Sequence, residues 1–118
     1  MDHQIKTMIV DALMKIVDSA PTKNPYQQYV TEQLWQTQNP YQANKIQRST
    51  VSKDSFDIWM NYIFSVLKIT EQYIDSGLYL SVCNQIQSVA LHADIDYTKK
   101  TYEICRILLE FARKILYL

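Results

Sequence analysis

Apolar residues recur every three or four positions along much of this chain, which is the spacing of one face of an α-helix. In the first such stretch the apolar positions are Ile5, Met8, Ile9, Ala12, Leu13, Ile16, Val17 and Ala20. Pro21 follows directly, and a proline ring cannot continue the hydrogen-bond ladder of a helix. The sequence therefore predicts a helix over residues 5–20.

A shorter helix is predicted after Asn24-Pro25, because Asn is a good N-cap and proline suits the first helical position. Its buried side chains are predicted to be Tyr29, Val30 and Leu34, with Tyr26 or Trp35 at the edges. The Asn-Pro-Tyr-Gln sequence of 24–27 recurs at 39–42, but its flanks do not repeat, so we interpret it as a reused helix-start signal. The polar segment 36–51 is predicted to be a loop, with or without one helical turn.

A third helix is predicted from about Lys53 to Ser76, with Thr50, Ser52 and Asp54 as available caps. Its buried face would comprise Phe56, Trp59, Ile63, Val66, Leu67, Ile74 and either Tyr62 or Tyr73. Gly77 follows, and we expect it to adopt the left-handed conformation that ends many helices.

Two further helices complete the pattern. The fourth, over residues 78–92, aligns Leu78, Val82, Ile86, Val89 and Ala93. The fifth begins at Asp96 and points Ile104, Cys105, Leu108, Phe111, Ala112 and Ile115 inward. Four long helices and one shorter one predict a single all-α domain over residues 1–118, an antiparallel four-helix bundle with an additional short helix or C-terminal element.

The amino-acid composition also favours an α-helical fold. The chain has 118 residues and only one glycine. Phosphate-binding and dinucleotide-binding loops need several glycines, because the backbone must approach an anion closely or adopt positive φ. Tight hairpin turns have a similar requirement, which disfavours an all-β fold.

The charges balance over the whole chain but not locally. Twelve Lys and Arg residues face twelve Asp and Glu residues, so no long-range field favours nucleic acid. Residues 99–118 nevertheless carry five basic residues against two acidic ones, whereas residues 59–98 carry one against four. A basic segment of this kind suits a position near a membrane.

No catalytic or metal-binding pattern stands out. His3 and His92 are the only histidines, and Cys83 and Cys105, the only cysteines, fall on apolar helical faces as expected for reduced core thiols. Zinc-ligand spacings are missing, and Asp54, Asp57, Asp94 and Asp96 suit helix starts better than acid–base pairs. We therefore expect a protein without enzymatic activity, cofactor, metal or small-molecule substrate.

The start of the chain lacks a basic region leading into an apolar run, and charged residues interrupt every long apolar stretch. No secretory signal and no transmembrane span are therefore predicted, and we expect a soluble, cytoplasmic protein.

The second half of the chain contains Gln85-Ile86-Gln87, Asp94-Ile95-Asp96, Lys99, Tyr102-Glu103-Ile104 and the tail Ile115-Leu116-Tyr117-Leu118. In this order they resemble the immunity proteins for class IIa (pediocin-like) bacteriocins. The first half has a compatible layout, with Asn24-Pro25-Tyr26 in the first loop and Asn61-Tyr62-Ile63 in a later helix.

The resemblance implies a cytoplasmic four-helix bundle, partly peripheral at the inner face of the membrane, that protects the bacteriocin producer without catalysis. The implied partner is the mannose phosphotransferase permease, a membrane sugar permease, in its bacteriocin-bound state. The C-terminal half is implied to govern specificity. We accordingly expect the contact surface to comprise Lys99, Lys100, Arg106, Arg113, Lys114, Tyr117 and Leu118.

One alternative comes from a different class of protein. Asn39-Pro40-Tyr41-Gln42, followed by Thr50-Val51-Ser52 and a long amphipathic helix, is similar to the start of flagellin-specific export chaperones. That resemblance implies a helical bundle that sequesters an amphipathic helix of a partner.

Overall fold

The computed structural model describes residues 1–22 and 51–118, and within them the fold is all-α. Its helices are α1 (His3–Asp18), α2 (Lys53–Thr70), α3 (Ser76–Ala90) and α4 (Tyr97–Leu116). A 3₁₀ turn, Glu71–Tyr73, follows α2. These are the four long helices that the sequence predicts. The shorter helix expected from Pro25 and residues 36–50 of the loop expected over 36–51 lie outside the described residues, while Val51 precedes α2 as expected.

Each of these four helices begins at a short polar side chain that accepts a hydrogen bond from the first turn. The accepting side chains and the donating backbone amides are Asp2 with Gln4 (3.0 Å), Ser52 with Ser55 (3.1 Å), Asp75 with Leu78 (3.1 Å) and Asp96 with Lys99 (2.8 Å). The caps of α2 and α4 are among those predicted. Asp2 and Asp75 were not, so α1 and α3 each begin two residues earlier than expected.

The role predicted for Gly77 is wrong. α2 ends at Thr70, several residues before the glycine. Gly77 instead lies in the first turn of α3, and its φ is not in the left-handed region. The physical reason is the Asp75 carboxylate, which caps Leu78 and so starts the next helix before the glycine is reached.

Helices that follow one another in the chain run antiparallel. The indole Nε1–H of Trp59, early in α2, donates to the carbonyl oxygen of Ile16, late in α1, at 2.9 Å. Near the start of α4, Lys100 likewise reaches the last residue of α3, Ala90. The backbone N–H of Val51 donates to Thr98 Oγ1 at 3.0 Å, which places the starts of α2 and α4 at the same end of the bundle.

The core is built around α4, which packs against α1, α2 and α3. All six side chains predicted to face inward from α4 are buried. Fully buried partners from the other helices are Leu13, Ile16, Ile63, Leu67 and Ile86. Burying an aliphatic side chain of this size contributes about 1.5–3 kcal/mol, so this shared core stabilises the arrangement.

Several of the predicted core positions outside α4 lie closer to solvent. Met8 exposes 64% of its surface, and Ala93 is also exposed. Val66 is half-buried at the edge of the core. The sequence predicts that either Tyr62 or Tyr73 is buried, and in the structure both side chains are 41% exposed. Helical spacing identifies which positions share a face, but the width of the buried face depends on the neighbouring helices.

Candidate functional site

Five charged residues follow one another along the outer face of α4, opposite its buried stripe. They are Lys99, Glu103, Arg106, Glu110 and Arg113. Their spacing of three or four residues places them on one face of the helix. The signs alternate along this face, so the basic segment predicted from the sequence contains acidic residues at regular intervals.

Two of the expected basic residues form ion pairs within α4. Arg106 Nη2 lies 2.7 Å from Glu103 Oε2, and Arg113 Nη1 lies 3.9 Å from Glu110 Oε1. Exposed pairs of this kind contribute only about 0–1 kcal/mol to stability, but they reduce the local positive potential. The middle of α4 is therefore closer to neutral than its content of Lys and Arg indicates.

The expectation that Lys100 belongs to the contact surface is wrong, because its side chain is 7% exposed. Its Nζ donates to the carbonyl oxygen of Ala90 at 2.8 Å and lies 4.9 Å from the centre of the Tyr97 ring. Ala90 ends α3, where a positive charge is favoured by the helix dipole. Lys100 therefore joins two helices instead of meeting a partner. On a helical wheel Lys100 falls beside Ile104 and Phe111. This position indicates that Lys100 is buried, which the net charge of the segment does not reveal.

Four of the predicted contact residues converge at the last turns of α4. Arg113, Lys114, Tyr117 and Leu118, together with Leu78 of α3 and Glu110, line an open cleft of about 490 Å³. Tyr117 is 82% exposed and Leu118 is 56% exposed. Lys99 lies at the other end of α4, roughly 20 Å from Lys114, so it does not join this group.

The backbone fixes the position of this end. The N–H of Tyr117 donates to the carbonyl oxygen of Arg113 at 3.3 Å, and the N–H of Leu118 donates to that of Ile115 at 3.2 Å. Ile115 is fully buried, and the ammonium of Lys6 in α1 donates to the carbonyl oxygen of Leu118. The exposed side chains are thus held on a rigid support. Lys6 and Leu78 come from elsewhere in the sequence, and no local motif points to their place here.

Cys105 and His92 have side chains of the types often used in catalysis, and they lie in different environments. Cys105 is fully buried, and burial raises the pKa of its thiol to about 12, so it is not a thiolate near neutral pH. His92 is exposed, and its Nδ1 accepts a hydrogen bond from the backbone N–H of Asp94 at 3.2 Å. Across residues 1–22 and 51–118, no three His, Cys, Asp or Glu side chains are placed to hold a metal ion together.

None of the helices in the described part of the chain combines the length and apolar character needed to cross a membrane. Comparison of the chain with protein-family models, with curated proteins and with solved structures found no match.

Proposed function

We propose that this protein is an immunity protein against a pediocin-like bacteriocin. It would act without catalysis, from the cytoplasmic face of the membrane, on the bacteriocin-bound mannose phosphotransferase permease. The sequence resemblance in residues 76–118 supports the class of protein. The residues that carry it lie on α3, on α4 and the two residues after it, and in the turn between the two helices.

The observation that carries the proposal is the cleft at the end of α4. There the cations Arg113 and Lys114 lie beside the exposed apolar surface of Tyr117 and Leu118. Tyrosine has an apolar ring with a polar tip, and long basic side chains keep their charge in water, so this combination suits contact with a protein at the membrane interface. Lys99 contributes less in this scheme because it is distant, and Arg106 because its ion pair with Glu103 is close, at 2.7 Å. The ion pair of Arg113 with Glu110 is longer, at 3.9 Å, so Lys114 is the main cation of the cleft and Arg113 adds to it.

Protection of this kind requires only occupancy of a surface. A backbone that is already fixed beneath the exposed side chains reduces the conformational entropy lost on binding, which favours affinity without any chemical step. The buried Ile115 and the bond from Lys6 to Leu118 supply that rigidity.

The test is survival of a bacteriocin-sensitive strain that expresses the protein, challenged with a panel of pediocin-like peptides. We expect the wild-type chain to protect against at least one peptide. Tyr117→Ser and Lys114→Gln are expected to reduce protection at least tenfold. The matched controls are Leu91→Ser, since Leu91 is also 82% exposed but lies at the end of α3, and Lys15→Gln, which removes an exposed cation from α1. Both controls should protect normally.

Equal killing of expressing and non-expressing cells across the panel would contradict the proposal. If, in addition, a flagellin C-terminal peptide bound tightly to the purified protein, the export-chaperone alternative would replace it. Circular dichroism and immunoblotting of each variant establish that altered protection does not come from misfolding or low abundance.

A further inference from the structure

Lys6, near the start of α1, contacts a residue from the other end of the sequence. Its ammonium donates a hydrogen bond to the backbone carbonyl oxygen of Leu118, 112 residues further along the chain. The acceptor is a main-chain atom, so the contact depends on where the backbone runs after α4 and not on the side chain at position 118. Lys6 therefore joins the first helix to the cleft at the end of α4.

The direction of the Lys6 side chain follows from helical spacing. Ile9 and Leu13 come three and seven residues later, on the same side of α1, and both are buried in the core. Lys6 is half-buried, whereas Lys15, on the opposite side of the helix, is exposed. A long basic side chain can bury its aliphatic stem and keep its charge at the surface. The core contacts of α1 therefore fix the point from which Lys6 reaches Leu118.

The carbonyl groups at the end of α4 need donors from outside the helix. α4 ends at Leu116, and the last carbonyl groups of a helix have no N–H partner within it. A cation close to them is also favoured by the helix dipole. The Lys6 ammonium supplies a donor and a positive charge at this end, as Lys100 does for α3 through Ala90. α3 and α4 thus each end against a lysine that another helix provides.

Tyr117 and Leu118 are held mainly through their backbone. Both lie beyond the end of α4, and their side chains are 82% and 56% exposed, so packing restrains them little. Their N–H groups donate to the carbonyl oxygens of Arg113 and Ile115, which ties them to the last turn of α4. Residues beyond a helix end fray unless other groups hold them. Lys6 adds such a restraint from a different helix.

Fraying of these two residues would weaken the binding of a partner. Fixing the backbone of one residue has an entropic cost that corresponds to roughly a fivefold to thirtyfold loss of affinity. A residue that is already held in place before binding avoids much of this loss. Tyr117 and Leu118 supply the exposed apolar part of the cleft, so the order of their backbone affects how tightly a partner binds there.

We propose that Lys6 is a positioning residue for the contact surface formed by Arg113, Lys114, Tyr117 and Leu118. By holding the carbonyl oxygen of Leu118, it keeps Tyr117 and Leu118 in the conformation that the partner meets, without touching the partner itself. The role of that surface rests on the proposed function. The proposal adds a residue of the first helix to a surface that the sequence analysis places wholly in the C-terminal half.

The first test is NMR relaxation of the backbone amides in the full chain, which reports their order whether or not the protein protects cells. Lys6→Met keeps the aliphatic stem and removes the donor. We expect the order parameter of Leu118 to fall from about 0.85, the value of a rigid backbone, to below about 0.6, with a smaller fall at Tyr117. Lys6→Arg retains a cationic donor and should keep the wild-type order. The amide of Leu108, in the middle of α4, should be unchanged in both variants.

The second test is survival of the bacteriocin-sensitive strain. Lys6→Met should reduce protection at least fivefold, whereas Lys6→Arg should protect normally. Lys15→Met, which removes an exposed cation from the opposite side of α1, is the matched control and should also protect normally. The thermal unfolding midpoint of Lys6→Met should change by less than about 3 °C, because a role limited to stability would lower the midpoint and the protection together.

Three results would overturn the proposal. The first is equal order of Tyr117 and Leu118 in the wild type and Lys6→Met, even if protection falls, since Lys6 would then contact the partner directly. The second is normal protection by Lys6→Met despite the lost order, and the third is an equal loss of protection in Lys15→Met. Failure of the wild-type chain to protect would contradict the proposed function instead. Lost order in Lys6→Met would then still support Lys6 as the residue that positions this end, and retained order would overturn it.

Discussion

The ammonium of Lys100 donates a hydrogen bond to the carbonyl oxygen of Ala90 at 2.8 Å, connecting the first turn of α4 to the last residue of α3. The carbonyl groups at the end of a helix have no partner within that helix. Lys100 satisfies one of them and places its charge where the dipole of α3 favours it. The same ammonium lies over the ring of Tyr97, which packs against Phe56 of α2 with ring centres 5.2 Å apart. One lysine thus connects α3, α4 and α2.

We expect Lys100→Met to lower the free energy of unfolding by about 1–3 kcal/mol, because the charged hydrogen bond is lost while the apolar stem is kept. Urea denaturation followed by circular dichroism measures the change. Lys99→Met is the matched control, since the Lys99 side chain is exposed, and it should change stability by less than about 0.5 kcal/mol. Equal effects of the two substitutions would contradict the assigned role.

Gly77→Ala is expected to change the free energy of unfolding by less than about 1 kcal/mol. Alanine favours the helix by about 1 kcal/mol over glycine. Against this, the new Cβ would lie 3.0 Å from Asp75 Oδ2 and displace the carboxylate that caps Leu78. These opposing effects nearly cancel. Thermal and urea unfolding of the variant provide the measurement, and a loss well above 1 kcal/mol would instead indicate a left-handed glycine.

The two cysteines are expected to differ in reactivity. Cys105 is fully buried, whereas Cys83 on α3 is half-buried. Burial raises the pKa of Cys83, an effect partly opposed by its hydrogen bond with Tyr79. Iodoacetamide at pH 8 should label Cys83 slowly and Cys105 only after denaturation, as measured by mass spectrometry of peptides. Labelling of both at the same rate in the folded protein would show that α4 opens more readily than its packing indicates.

The raised pKa of the Cys105 thiol also predicts how the free energy of unfolding changes at alkaline pH. Its thiol has an ordinary pKa of about 9.0 in the unfolded chain and a pKa raised to about 12 by burial in the folded protein. Below pH 9 both states keep the proton. As the pH rises from 9 toward 12, only the unfolded chain loses it, so the free energy of unfolding falls by about 1.4 kcal/mol per pH unit.

Cys105→Ala isolates this effect from other groups that titrate at high pH. The variant starts less stable because it leaves a small cavity. The stability difference from wild type should then narrow by about 2 kcal/mol between pH 8 and pH 10.5. A constant difference over that range would be inconsistent with the raised pKa.

The structure confirms most of the predictions that depend on local signals, Gly77 being the exception. Asp96 was expected to start the last long helix, and it does so through a hydrogen bond between residues close in sequence. The inward positions of α4, from Ile104 to Ile115, follow directly from helical periodicity. Such features are encoded within a few turns of the chain, which is why sequence alone suffices for them.

Apart from Gly77, whose role is decided by the nearby Asp75 cap, the errors concern residues whose surroundings come from distant parts of the chain. Lys100 was counted as a surface charge because its partner, Ala90, lies across a turn on another helix. Met8 matches the apolar spacing of α1, yet it faces a groove that α2 leaves open. The convergence of Leu78, Lys114 and Tyr117 at one cleft depends on how α3 and α4 pack, and helical periodicity does not specify that packing.

Because α4 contacts each of the other three helices, no local opening can release it while the rest of the bundle stays folded. The amide hydrogens in its middle, near Leu108, should therefore exchange with solvent only when the whole molecule unfolds, and their exchange rates report the global free energy. The amides near Tyr117 belong to the same helix but to its solvent-facing end. We therefore expect a single helix to carry both the slowest-exchanging amide protons of the described residues and the surface with which we propose the protein meets its partner.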